Sequence, residues 1–294
     1  MRQTSKLLPQ AQARLKTFAG PNAQDRARPK PDADAAPVRV LARGLSILRA
    51  FTPRNEWLSN QEIAAKTALP RPTVSRLTTN LTGLGYLSYS TASRKYRLGT
   101  SVLALGFSAL ANIDIRVLAR PLLQRLADQE DVLVVLASRD DMAMVCNEVC
   151  HSRKSIFSLR VNVGSRLVLP YSAMGLALLG AMTPEEREEA LRQIHRGFKK
   201  NWPELQDLIK AAMEQYQRCS FCTTLETLES GINGIAVAID TPGASHSFTI
   251  GLAGPSFRLP ADRLESELGP KLLAIRRDLE TRLAEITPDA GDSR

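Results

Sequence analysis

Between Val38 and Leu98 the spacing of apolar positions changes repeatedly, and each change predicts an element. Leu41, Leu45 and Leu48, with Gly44, Ile47 and Phe51 alongside, recur at helical spacing. Thr52-Pro53-Arg54-Asn55 ends that helix. Ser59-Asn60-Gln61-Glu62 forms an S-x-x-E capping box opening a second helix, with Ile63 and Ala64 turned inward. Leu69-Pro70 closes the turn, because the residue before a proline is pushed out of the helical region. Pro72 suits a helix start, where its missing N–H costs nothing. A third helix then runs to about Leu84, with Val74, Leu77, Leu81 and Leu84 on one face and Gly85 as its C-cap. Tyr86–Tyr89 and Lys95–Leu98 predict two short strands around a tip at Ser90–Arg94. From Thr100 to Ile113, Leu103, Phe107 and Leu110 return to helical spacing, as a connecting helix would.

Beyond this point the pattern mixes periods. A helix is expected over Val117–Gln129, then strands at Val132–Ala137, Met142–Val149, Ser155–Val161, Gly234–Ile239 and Phe248–Ala253. Helices are expected at Ala173–Ala181, Pro184–Ile194, Pro203–Arg218 and Ala261–Ile286. Strands and helices interleave without a strict βαβ rhythm, which predicts an α+β domain on an antiparallel sheet. No internal repeat is visible. The expected organisation is a basic disordered arm (1–37), a three-helix unit with a hairpin (38–99), a linker helix (100–115), a larger domain (116–286) and a tail (287–294).

Charge sharpens this division. Residues 1–110 hold 17 Lys/Arg against 5 Asp/Glu, whereas residues 111–294 hold 22 against 25. A basic third joined to a mildly acidic remainder is the footprint of a nucleic-acid module on a regulatory or oligomerising body, although a solvated basic face would look the same. The proline-rich arm is itself basic and suits either sequence-independent phosphate contact or an inert tail. No apolar run approaches the length of a membrane span, and no signal-peptide pattern opens the chain, so no membrane association is expected. Four cysteines in 294 residues fit a reducing cytoplasm better than a disulfide scaffold.

The outward face of the third helix carries the chemistry. Arg71 stands at its entry, followed by Pro72, Thr73, Ser75, Arg76, Thr79 and Gly83, with no carboxylate among them. Such a face can enter the major groove, where Arg pairs bidentately with guanine and hydroxyls reach bases or phosphates. Arg94, Lys95 and Arg97 on the hairpin would serve a wing lying along the backbone. Candidate DNA contacts are therefore Arg71, Thr73, Ser75, Arg76 and Thr79 in the groove and Arg94 and Lys95 on the wing. A helical interaction module without DNA shares the topology but does not need the charge.

These residues resemble the winged helix of IclR-type transcriptional regulators: "LARGLSILRAF", "LSNQEIAAKTALPRPTVSRLTTNLTGLGYL" and "KYRLG". Further on, "VGSRLVLPYSAMGLALLGAM" (Val163–Met182), "ESGINGIAVAI" (Glu229–Ile239) and "IGLAGP" (Ile250–Pro255) continue it in order, so that it covers Val38 to about Leu283. The resemblance implies a bacterial DNA-binding regulator with a GAF-like effector domain, acting on palindromic operators as a homodimer or homotetramer. It also implies a pocket for a small organic acid. The apolar wall would be Ile156, Leu159, Leu167 and Ile232, and the backbone N–H groups of Ala173 and Met174 would receive the carboxylate. Where relatives binding small keto acids carry Asp, Cys, Ser and Ser, this chain has Thr224, Gly234, Gly251 and Ala253. Three of those replacements remove or shrink a polar group, so a roomier pocket and a more apolar, aromatic or longer acid are expected. Tyr171, in place of the family's usual residue, is placed to intrude on the site or cap it.

Other sites attract less chemistry. Cys219-Ser-Phe-Cys222 is a C-x-x-C, and Cys146, Cys150 and His151 lie upstream, but a zinc site needs four convergent ligands. Buried apolar cysteines explain them more simply. His195-Arg196 and the Glu185–Glu189 run suit the two ends of one helix dipole. No G-x-S-x-G, P-loop or H-E-x-x-H occurs, so no catalytic residue, metal or cofactor is expected and the chain is not expected to be an enzyme. Three functions remain in order: an effector-controlled regulator, an effector-independent DNA-binding protein whose larger domain only oligomerises, and an enzyme with a DNA-binding appendage.

Overall fold

The computed structural model describes residues 36–52, 55–111, 114–155, 159–240 and 248–286. The basic arm, the tail and Ile156 thus lie outside the described residues, apart from the arm's last two positions. The chain divides into two compact units between Asn112 and Ile113.

In the first unit, α1 (Ala36–Arg49), α2 (Asn60–Thr67) and α3 (Arg71–Gly83) precede a hairpin of β1 (Leu87–Ser90) and β2 (Lys95–Leu98), and α4 (Thr100–Ala111) follows. The capping box is complete: Glu62 N–H donates to Ser59 Oγ at 3.3 Å, and Ser59 N–H donates to Glu62 Oε2 at 2.7 Å. The turn between α2 and α3 is made by Ala68 in the left-handed region (φ 55°), with Pro70 as the N-cap of α3. Gly85, also left-handed at φ 77°, ends α3. Its N–H reaches Thr82 O at 3.0 Å while Tyr86 N–H reaches Leu81 O at 2.9 Å, the paired bonds of a Schellman motif. Ile47, Phe51, Leu58, Ile63, Val74, Leu77, Leu87 and Tyr96 make the core. Leu58 joins the hairpin through a bridge to Tyr96.

Three expected inward positions are not buried. Leu84 is 66% exposed, because the helix has already stopped at Gly83. Leu41 and Leu45 are 65% and 48% exposed, so that of the first apolar series Ile47 and Phe51 are buried in the core and Leu48 packs half-buried against it. Conversely Thr78, which apolar periodicity overlooks, is completely buried.

The second unit begins with α5 (Asp114–Glu130). Its six-stranded sheet runs β5-β4-β3-β8-β7-β6, with β3 Leu133–Asp140, β4 Ala143–Cys150, β5 Arg166–Val168, β6 Cys222–Leu225, β7 Ile232–Ile239 and β8 Phe248–Pro255. Every neighbouring pair is antiparallel, as expected for this α+β class. Alternation along the strands makes two cores. Val134, Leu136, Ile235 and Val237 face α5 and the C-terminal α9 (Gly269–Ile286). Leu133, Val135, Ala137 and Ala236 face α6 (Ala173–Ala181), α7 (Pro184–Gly197) and α8 (Trp202–Cys219). The fully buried Glu148 of β4 is clamped by Arg116 and Arg120 of α5.

The strand expected at Ser155–Val161 is not found among the described residues there. Leu159–Val161 is a tight turn in which Val161 N–H donates to Leu159 O at 2.8 Å, and β5 forms instead at Arg166–Val168. The helix expected over Ala261–Ile286 is interrupted by a π-helical turn at Leu264–Leu268.

Candidate nucleic-acid interface and ligand cavity

Apolar residues Val74 and Leu77 fix the rotation of α3, and that rotation decides what its other face shows. Arg71, Ser75, Arg76 and Thr79 are exposed and Thr73 is half-buried. The helix holds no acidic residue. Its N-cap is Pro70, which has no side-chain acceptor to offer, so the first N–H groups remain open to a phosphate oxygen. Thr79 Oγ1 meanwhile donates to Ser75 O at 3.0 Å.

The two wing candidates behave differently. Arg94 sits exposed at the hairpin tip with φ 52°. Lys95 is half-buried and turns back towards α2, its Nζ 3.4 Å from the Glu62 carboxylate. Backbone and side-chain hydrogen bonds from Ser59, and then Lys95 itself, hold Glu62 below the usual carboxylate range. Arg97 lies over the Trp57 ring at 5.1 Å, a cation–π contact that positions the wing's base.

The ligand candidates converge. A cavity of about 110 Å³ opens between α6 and the sheet. Leu159, Leu167, Ala173, Met174 and Ile232 line it, together with Thr224, Gly234, Gly251 and Ala253. All nine described candidates therefore share one wall. Ser172 caps α6 by accepting Gly175 N–H at 3.1 Å, which leaves Ala173 and Met174 N–H without intrahelical partners. Gly251 matters for space: a Cβ there would stand 2.8 Å from Met174 Cγ. Gly234 pairs with Thr224 on one side and Ala253 on the other.

Polar capacity in this wall is sparse. Ser172 is occupied as the cap. Asn233 gives its Nδ2 to Leu259 O and takes Glu226 N–H on Oδ1. Among the described residues the Thr224 hydroxyl, 7% exposed, has no hydrogen-bond partner. Leu133, Val135, Val161, Leu228, Glu229 and Leu252 also line the cavity and were missed from sequence. Alternation along β3 was a signal for Leu133 and Val135, which share a face two residues apart. Glu229 had none, since it sits in a turn. Tyr171 neither enters nor caps the cavity: it lies in the 3-10 turn before α6, its ring edge-on to Phe198 at 5.9 Å.

The cysteines do not converge on this site. Cys146, Cys150 and Cys222 are buried within the cores, and Cys219 is partly buried. Among the described residues no three His, Cys, Asp or Glu side chains are placed to hold a metal ion, and no single helix is long and apolar enough to cross a membrane.

With the geometry in place, the likeness to known proteins is decisive. The model of the IclR helix-turn-helix domain matches residues 40–91, and that of the bacterial transcriptional regulator IclR C-terminal domain matches residues 107–281. The chain belongs to the IclR family. It is a DNA-binding transcriptional regulator with an effector-domain fold. Among IclR relatives, the HTH-type transcriptional regulator TsaQ1/TsaQ2 of Comamonas testosteroni is 32% identical over 253 residues, covering 85% of this chain and 90% of that protein. The Pca regulon regulatory protein of Pseudomonas putida is 29% identical over 243 residues, covering 81% and 82%. The crystal structure of an IclR family transcriptional regulator from Brucella abortus superimposes with a TM-score of 0.78 at 36% identity, covering 88% of this chain and 97% of that one. A more distant IclR homolog, from Microbacterium hydrocarbonoxydans and crystallised with 4-hydroxybenzoate, shares the fold with a TM-score of 0.64 at 23% identity, covering 84% of this chain and 99% of that one.

Proposed function

We propose that this regulator is switched by a small organic acid held in the cavity between α6 and the sheet. The observation that carries the proposal is the convergence of nine positions, from six separate stretches of sequence, on one cavity. The carboxylate is received by Ala173 and Met174 N–H at the start of α6, where the helix dipole favours an anion. The Thr224 hydroxyl supplies a further bond, and the rest of the wall is apolar. A volume of about 110 Å³, below the roughly 150 Å³ of an apolar cavity that holds benzene, limits the enclosed part of the acid to a single small ring or short chain. DNA is contacted by Arg71, Thr73, Ser75, Arg76 and Thr79 in the groove, with Arg94 on the wing and Lys95 beside it.

The same proposal makes the protein a cytoplasmic homodimer or homotetramer and not an enzyme. Val40, Leu41 and Leu45 on α1, and Leu103, Leu105 and Phe107 on α4, are exposed apolar side chains. Patches of this kind support pairing with a second copy. Phe107→Glu should accordingly lower the mass measured by sedimentation.

Thermal unfolding of the full chain against benzoate, 4-hydroxybenzoate and short aliphatic monocarboxylates tests the effector. An acid that binds only the folded state raises the midpoint with concentration. If no acid raises it while operator binding persists, the larger domain serves assembly alone and the protein binds DNA without an effector.

A further inference from the structure

Among the described residues, the cavity's wall contains one ionisable side chain, and it has the wrong sign for an anion site. Of the lining residues only Glu229 carries a formal charge; no Lys, Arg or His is among them. Glu229 lies exposed in the turn between β6 and β7, and among the described residues its carboxylate has no hydrogen-bond or ion-pair partner.

Register fixes where it stands relative to the anion-receiving end. Met174 packs against Gly251, which is opposite Ala236 on β7. The backbone carbonyl of Glu229 accepts the N–H of Ile232, which lies four residues before Ala236 on that strand, so the Glu229 backbone stands at that level. At about 3.3 Å per residue the two levels are roughly 13 Å apart. Thr224, opposite Gly234, lies midway. One end thus presents helix N–H groups, the middle one free hydroxyl, and the mouth a carboxylate.

We infer that Glu229 restricts the cavity to singly charged acids and rejects those with a second carboxylate at the far end. The inference rests on the proposed acid-binding role of the cavity. A helix N-terminus is equivalent to about half a positive charge, enough to favour one carboxylate. A second carboxylate finds no cation in the wall and approaches Glu229 instead, and like charges brought together oppose binding. A neutral donor, such as a hydroxyl or amine, is accepted at the same place.

The test uses matched pairs, benzoate with 1,4-benzenedicarboxylate and hexanoate with adipate, titrated calorimetrically into the full chain and its Glu229→Gln variant. The diacid is expected to bind the wild type at least tenfold more weakly than its monoacid. Glu229→Gln should raise the diacid-to-monoacid affinity ratio at least fivefold. The exposed carboxylate is screened by salt, so the wild-type ratio should also rise between 0.05 and 0.5 M NaCl, on the order of a few-fold; this measurement needs no variant to fold. Equal binding of monoacid and diacid to the wild type, or a ratio indifferent to both substitution and salt, overturns the role of Glu229 and leaves the acid-binding cavity standing. Failure of every monoacid to bind removes the effector proposal, and this inference with it.

Discussion

Thr78 of α3 lies beneath Asn60 of α2, its Oγ1 3.1 Å from Asn60 Oδ1 and 3.0 Å from Ser75 O. The pair ties the groove-facing helix to the helix that supports it, and Asn60 is the first residue of α2. Thr78→Val keeps the shape but removes the donor. A loss of about 1 kcal/mol is expected, read as a fall of roughly 4–8 °C in the midpoint of a unit this size. An unchanged midpoint would show that the pair adds no net stability.

Arg76 is exposed at the middle of the groove-facing surface, and α3 offers it no acid. Arg76→Ala should cost about 1–3 kcal/mol in binding to the specific operator, with relaxed base preference at one position. Competition against scrambled DNA decides its role. A uniform loss on every sequence would assign Arg76 to a phosphate.

Gly251→Ser places a Cβ where Met174 Cγ would be 2.8 Å away. Met174 is flexible and can move, but only into the cavity or away from its anion end. Affinity for a ring-bearing monoacid should fall by about 1–2 kcal/mol, within the usual range for overpacking, while the folded state persists. Calorimetry with benzoate gives the answer, and undiminished binding would place the ring elsewhere.

Burial pushes the thiols of Cys146 and Cys222 up to about 12 and that of Cys150 up to about 11. In the unfolded chain each ionises near the ordinary thiol value of 9.0. The unfolded state therefore releases protons first, and stability that is complete below about pH 9 is lost as pH rises towards 11–12. Each thiol contributes a slope of about 1.4 kcal/mol per pH unit in that window. Urea unfolding between pH 8 and 10.5 should show the decline, weakened by Cys→Ala at these positions. A thiol reagent at pH 8 should modify Cys219 before the other three.

Much of this was legible in residue order, for reasons that differ by element. The capping box and Gly85 are local devices whose chemistry requires few neighbours, so α2 and the end of α3 could be placed closely. Leu84 shows where periodicity fails: it continues the stripe after the helix that defines the stripe has ended. Residues Ser155–Val161 are β-branched and aromatic enough to suggest a strand, yet the described part turns, because β4 pairs with Arg166–Val168 instead. Resemblance carried the cavity candidates residue by residue. It could not supply Glu229, whose significance depends on the absence of other charges around a space that only the fold creates.

The alternation within β3 has a mechanical consequence. Leu133 and Val135 touch the cavity, while Val134 and Leu136 are set among α5 and α9. Successive residues are joined by rigid planar peptides, and both layers are close-packed. An occupant that shifted the β3 backbone at Val135 would therefore shift Val134 and Leu136 as well. β3 thus has one arm in each core, so an occupant that moved the strand from one side of the sheet would load the helices packed on the other.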